Sequence, residues 1–302
     1  MIPDVLVFGD SVMDRVARED MDRRSLAEMV SVDLGQELRS EVFSFSAFHS
    51  EVFAALLGAV AQLEVCPRCI VLPVNLRSFS PQWSCNPEFR FAEEINLAGR
   101  FAAGELNDDP MVSRGQDGKH VPADVVEWRR YQDVPVDFPW TPFRKVGDFL
   151  RLIASSPRDE DEAGRRKQAI FTFHYMNELE EGDEKLKALL VAVKTALGMG
   201  SSLVLYVTPI NRQAGMQFVG GEFGERVARN VGLIKELFDR LVDDRKASFL
   251  DLSGALGRSM FFDDDTATEH LNQAGRRYVS AEVCGAVRQL LFGDEVEFNT
   301  TG

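Results

Sequence analysis

Short apolar runs alternate with amphipathic stretches along most of this 302-residue chain. The runs at 4–8, 41–45, 69–74, 169–173, 202–207 and 248–252 predict strands, and the segments near 14–38, 50–64, 184–198, 222–244 and 272–292 predict helices. Strands that are apolar throughout and separated by helices predict an α/β fold, in which a mostly parallel sheet is covered on both faces. The chain reads as a single domain over 1–302, with no internal repeat and no low-complexity tract.

One region breaks the alternation. Residues 76–142 carry Pro81, Pro87, Pro110, Pro122, Pro135, Pro139 and Pro142, with a Gly-Gln-Asp-Gly turn at 115–118. Such a stretch inside a compact domain predicts a long irregular insertion. Trp83, Phe89, Phe91, Trp128, Tyr131, Phe138 and Trp140 give it apolar weight, so a lid or subdomain packed over the strand ends is expected. The acidic stretch 158–162 that follows reads as a solvated connector.

Composition narrows the partners. A hydrophobic content of 45% is ordinary for a protein with a substantial core, and no apolar stretch approaches the roughly 20 residues of a membrane span. With the first strand starting near Pro3, no secretory leader is expected and a cytoplasmic location is the default. The balance of 34 Lys+Arg against 48 Asp+Glu leaves a formal charge of −14, which repels nucleic acid and anionic membrane surfaces. Cys66, Cys69, Cys85 and Cys284 are too few for a disulfide scaffold; Cys66 and Cys69 have metal or redox spacing but lack a second pair, and buried or free thiols are expected.

Three chemical groups far apart in sequence fall at the carboxyl ends of predicted strands or in a loop before a helix, where open α/β sheets bind ligands. Ser11 follows the first strand, Asn75 follows the third, and His270 precedes the last helix. A serine needs a base to become nucleophilic, a histidine supplies one, and an Asn amide can donate to the oxyanion that forms. These are the parts of an acyl-transfer site requiring no metal or organic cofactor. Asp10 or Ser11 as an ordinary helix N-cap, and Asn75 as a turn residue, are the plainer readings.

Phe8-Gly9-Asp10-Ser11, Ile70-Val71-Leu72-Pro73-Val74-Asn75 and His270-Leu271-Asn272-Gln273-Ala274-Gly275 together resemble the blocks of the SGNH (GDSL-type) hydrolases. The resemblance implies a flavodoxin-like three-layer α/β/α sandwich interrupted by the insertion. It also implies Ser11 as nucleophile, His270 as base and Asn75 as oxyanion donor. The chain departs from the family pattern in two places. The triad acid expected three residues before the histidine is replaced by Ala267, which leaves Asp265 as the favoured acid, Asp264 as runner-up, and a Ser-His dyad as a further possibility; Asp263 also lies upstream, and Glu269, adjacent to His270, is expected to point elsewhere. The loop after the second strand, residues 43–50, holds no glycine, so a backbone N–H of Ser46 or Ala47 would complete the oxyanion hole. Without glycine this loop is not expected to reach glycine-only conformations.

His49 borders this site in sequence, Arg77 is a candidate contact for an anionic substrate group, and Asn211 with Arg212 ends another strand on the active edge. A structural histidine, a surface ion pair and a turn are the respective plainer readings, and the same holds for His174 and for the solvent-facing His120. The resulting expectation is a carboxyl-ester hydrolase acting on a small acyl group, such as acetyl on a carbohydrate or metabolite. An O-acyltransferase to a glycan or other hydroxyl, and a catalytically weak binding protein that keeps the fold, are the alternatives. A phosphate-binding protein is disfavoured, because no Gly-rich loop follows a strand.

Overall fold

A computed structural model describes residues 2–35, 38–63, 66–105, 125–138, 141–242 and 246–293. Five strands, β1 (Val5–Gly9), β2 (Ser40–Ser44), β3 (Cys69–Val74), β4 (Ser202–Val207) and β5 (Ala247–Asp251), form one sheet in the order β2-β1-β3-β4-β5. Every pairing is parallel, from Val5 opposite Ser40 at one edge to Leu203 opposite Ala247 at the other. The central strands β1 and β3 are buried along their whole length, which explains their unbroken apolar runs. The expected α/β sandwich with a parallel sheet is the observed architecture.

The helices are α1 (Ser11–Asp14), α2 (Leu26–Leu34), α3 (Ser50–Gln62), α4 (Pro81–Cys85), α5 (Ala92–Ala102), α6 (Val125–Gln132), α7 (Val146–Ala154), α8 (Glu160–Tyr175), α9 (Glu184–Gly198), α10 (Arg212–Val219), α11 (Gly221–Asp239) and α12 (Gln273–Phe292). Alternate strand residues point to opposite faces and build two cores. Val5, Val7, Val71, Val204 and Tyr206 pack against Leu26 and Val30 of α2 and Val279, Val283 and Val287 of α12. Leu6, Phe8, Ile70, Leu72, Leu203 and Leu205 pack against Phe53 of α3, Leu189 of α9 and Val227 of α11. Among the described residues no helix is long and apolar enough to cross a membrane.

The structure corrects three sequence expectations. Residues 169–173 are not a strand but the carboxyl half of α8. That half is mostly buried, with Phe171 in the core that also holds Phe8 and Phe173 in a third, smaller core with Tyr131, Val136, Phe143, Val146 and Phe149. A helix wrapped in apolar neighbours loses its 3.6-residue pattern and reads as a strand. The acidic stretch 158–162 is not a connector; it starts that helix, with Asp159 capping the Glu162 amide and acidic residues in the first turn, where the helix dipole favours them.

Within 14–38 the helix covers only Leu26–Leu34, started by a capping box between Ser25 and Glu28. The preceding loop is organised by Arg276 of α12, which is fully buried. Its guanidinium donates to Asp20 Oδ2 at 2.7 Å, to the Asp22 carbonyl at 2.8 Å and to the Arg24 carbonyl at 3.0 Å.

The expected insertion contains the short helices α4, α5 and α6, and the small core joins α6 to α7 and α8. Pro110, the turn at 115–118, His120, Pro122, Pro139 and Trp140 lie outside the described residues.

Candidate functional site

The sheet order places the site. The chain leaves β1 toward β2 on one side and returns to β3 on the other, so a crevice opens between the carboxyl ends of β1 and β3. Ser11 and Asn75 are set at those two ends.

Gly9 is needed at the end of β1 for space rather than for dihedral freedom: a Cβ there would overlap the Met13 side chain. Asp10 caps the one-turn α1, its Oδ1 accepting from the Val12 amide at 2.8 Å. Its Oδ2 accepts from Asn75 Nδ2 at 2.8 Å, while Asn75 Oδ1 accepts from the Arg77 amide at 3.0 Å. The Asn75 amide is thereby fixed at both ends with one Nδ2 hydrogen still to donate. Burial raises the Asp10 pKa above the ordinary carboxylate value, against the lowering effect of the Val12 and Asn75 donors.

His270 is carried by a loop with its own ties. Its carbonyl accepts from the Phe262 amide at 2.9 Å and its amide donates to Thr268 Oγ1 at 3.1 Å. Asn272 then caps α12, accepting from the Ala274 and Gly275 amides and donating to the Ser259 carbonyl at 2.7 Å. Gly275 lets the helix approach the Met260 carbonyl, which a Cβ would meet at 2.5 Å. The His-Leu-Asn-x-x-Gly pattern thus reads as one group for chemistry followed by a cap and a close approach.

These ties bring His270 Nε2 to 3.1 Å from Ser11 Oγ, across 259 residues of sequence. The imidazole pKa is pushed down to about 4, first by burial and then by the positive charges of Arg77 and Arg15. At neutral pH the ring is therefore uncharged and able to accept the serine proton.

The structure does not bring Asp265 to the imidazole. Asp265 pairs with Lys167 of α8, and that ion pair holds its carboxyl below the usual range. The Asp264 carboxylate faces Arg258 at 3.5 Å, and its backbone carbonyl accepts from Asn211 Nδ2 at 3.0 Å. Among the described residues no carboxylate stands within ion-pair distance of His270. Glu269 points away from the ring: its carboxylate accepts from the Tyr175 hydroxyl and lies 3.4 Å from Arg77 Nη1. Burial pushes its pKa up to about 7. Asp265 is engaged by Lys167 instead. The lysine lies on the helix that read as a strand, so nothing local to the motif signalled it.

The loop after β2 holds a second correction. Ala47 adopts a left-handed φ of 67° without being glycine, so the loop does reach the conformation that its sequence argued against. Ala47 is buried and Ser46 exposed. Ser44 Oγ donates to Asp14 Oδ1 at 2.7 Å, which ties the end of β2 to α1 beside the serine.

His49 is a structural histidine. Its Nε2 donates to the Phe89 carbonyl at 2.8 Å, which leaves Nδ1 without a hydrogen and therefore unable to donate to Glu51, 3.4 Å away. Burial lowers its pKa to about 3. With Asp10, Ser50, Asn75 and Ser78 it lines a cavity of about 10 Å³, the size of one water molecule. Asn211 is also structural, capping α10 through the Ala214 amide as well as holding Asp264. His174 is buried among Trp83, Phe149 and Phe173, with Ser80 Oγ at 3.4 Å from Nδ1.

Arg77 does lie at the site, over the Trp83 ring at 4.7 Å. Asp10 takes the N-cap role that its place in Gly-Asp-Ser allowed, and Glu269 points away from the ring as expected. Arg15 and Tyr175 join the neighbourhood without a local signal.

The cysteines are free: Cys69 and Cys284 are buried, Cys85 is half-buried and Cys66 is exposed, donating to the Met199 carbonyl at 2.8 Å. Comparison with protein-family models and with curated proteins found no match for this chain.

Proposed function

We propose that this chain is a serine-dependent ester hydrolase of the SGNH kind, acting on a small acyl group through an acyl-enzyme. The observation that carries the reading is the hydrogen bond between Ser11 Oγ and His270 Nε2, made by a histidine that burial keeps neutral. His270 takes the hydroxyl proton as Ser11 Oγ bonds to the ester carbonyl carbon. The oxyanion is held by Asn75 Nδ2, the Ser11 amide and an amide of the Ser46–Ala47 turn. Collapse breaks the ester C–O bond, and His270 gives its proton to the departing alcohol. Water, deprotonated by the same imidazole, then releases the acid and regenerates the serine. Transfer to a second alcohol in place of water would make the same site an acyltransferase.

A second reading, a catalytically weak binding protein, is favoured by one specific observation. No carboxylate among the described residues orients His270 as a triad acid would, because Asp265 is held by Lys167.

Intact-mass analysis after exposure to a fluorophosphonate separates the two readings, since that probe labels an activated serine. Stoichiometric labelling, lost in Ser11→Ala and His270→Ala, is the expected result, followed by acid release from ester substrates without an added acceptor. A folded wild type that takes up no label would favour the binding protein.

A further inference from the structure

We propose that Arg77, together with Arg15, forms an anion-binding subsite beside Ser11, so that the ester taken at this site carries a carboxylate or phosphate group. The reacting bond rests on the hydrolase reading above; the binding of the anion does not.

The first support is the unspent hydrogen-bonding capacity of Arg77. A guanidinium has five N–H donors. Among the described residues only Nη1 finds acceptors, the Ala267 carbonyl at 3.3 Å and Glu269 Oε2 at 3.4 Å, both long for charge-assisted bonds. Nε is buried and has no partner among the described residues. Leaving such a donor unpaired costs stability, so an arginine at this position serves something other than the fold.

The group is nevertheless held in place. Its Cζ lies 4.7 Å from the centre of the Trp83 ring, which packs on Phe89 at a centroid distance of 5.2 Å, and the Arg77 amide is fixed on Asn75 Oδ1. A guanidinium held over an aromatic ring with N–H donors left unpaired is preorganised for recognition of an oxyanion.

Neighbouring charge offsets it only in part. The facing Glu269, 3.4 Å from Arg77 Nη1, is buried and with a pKa of about 7 is only partly ionised at neutral pH. Asp10 is enclosed and committed to Val12 and Asn75. Arg15, whose amide bonds the Ser11 carbonyl at 3.1 Å, adds a second positive charge from the turn that bears the nucleophile. It is exposed and makes no ion pair among the described residues. In a chain of net charge −14, Arg77 and Arg15 together form a local attraction for anions that the surface as a whole repels.

Calorimetric titration tests the subsite apart from turnover. Monomethyl succinate and inorganic phosphate are titrated into Ser11→Ala protein, alone and combined with Arg77→Gln or Arg15→Gln, with thermal melts to establish folding. Arg15→Gln touches no packed group, which keeps the test valid if Arg77→Gln does not fold. Saturable, salt-sensitive binding is expected, weakened about tenfold or more by Arg77→Gln and several-fold by Arg15→Gln. The tighter of the two ligands identifies the anion as carboxylate or phosphate. The parallel readout in wild type is the ratio of kcat/KM for p-nitrophenyl hemisuccinate over p-nitrophenyl butyrate, which should fall in both arginine variants. No saturable binding of either anion, or binding that both variants leave unchanged, overturns the subsite. Binding with the expected pattern in a protein that takes no fluorophosphonate upholds the subsite and removes the hydrolase reading instead.

Discussion

Asn75 Nδ2 donates to Asp10 Oδ2 at 2.8 Å, a buried bond that spans the crevice between β3 and β1. It locks the amide proposed to meet the oxyanion onto the residue preceding the nucleophile. Asp10→Ala would leave the Val12 amide and Asn75 Nδ2 without their acceptor, costing about 1–3 kcal/mol for each group left buried and unpaired. Urea unfolding should show that loss, and Ser11 labelling should slow with it. Asn75→Ala should reduce kcat by about 10²–10³, the cost of one oxyanion donor. Asn75→Asp should be worse, because two carboxylates would then share one buried proton.

The low pKa of His270 predicts an unusual acid limb. A histidine is a base only when neutral, and burial with two nearby cations keeps this one neutral down to about pH 4. Labelling of Ser11 should therefore persist at pH values where an ordinary histidine is protonated, and fall with a midpoint near 4. Arg77→Gln removes a positive neighbour and should move that midpoint upward. A midpoint near the unperturbed value in the wild type would contradict the burial argument.

Glu269 titrates with the opposite sign. Its folded pKa of about 7 lies above the ordinary 4.5, so the folded chain keeps a proton that the unfolded chain has lost. This contribution to stability is fully present below the unfolded value and is lost as pH rises through about 7. Glu269→Gln should be proportionally less sensitive to pH, measured as urea midpoints at about pH 5 and about pH 8.

Asp265 offers the sharpest test of the triad question. Removing the carboxylate of a functioning triad costs about 10⁴ in kcat. Because Asp265 pairs with Lys167 instead of His270, Asp265→Asn should leave kcat within about threefold of wild type. A loss near the triad value, measured on a chromogenic ester, would mean that the carboxylate reaches the imidazole during turnover.

Ala47 predicts an inversion of the usual glycine effect. A left-handed φ costs a non-glycine residue roughly 1–2 kcal/mol, which offsets the buried methyl lost in Ala47→Gly. That variant should be near neutral in urea unfolding, within about 0.5 kcal/mol. Ala47→Val, β-branched at the same φ, should destabilise by about 2 kcal/mol or more.

Much of this was legible in local sequence because it depends on local chemistry. Apolar runs mark β1, β3 and β4, since a strand in a covered parallel sheet is buried on both faces. The cap at Asp10 follows from a short polar side chain preceding a helical stretch. Ser11, Asn75 and His270 were singled out because each stands where a strand ends or a helix begins, and strand order then decides which ends meet.

By itself, the sequence determined the five strands of the sheet and the three groups that stand at strand ends or before a helix, because those depend on neighbours along the chain. Only the tertiary structure decided the rest. Residues 169–173 lie in a mostly buried helix, Lys167 on that helix pairs with Asp265, Ala47 sits at a φ that alanine disfavours, and Glu269 meets Arg77 and Tyr175 rather than His270. Each outcome is a competition between groups distant in sequence, and a competition is settled where the competitors meet in space.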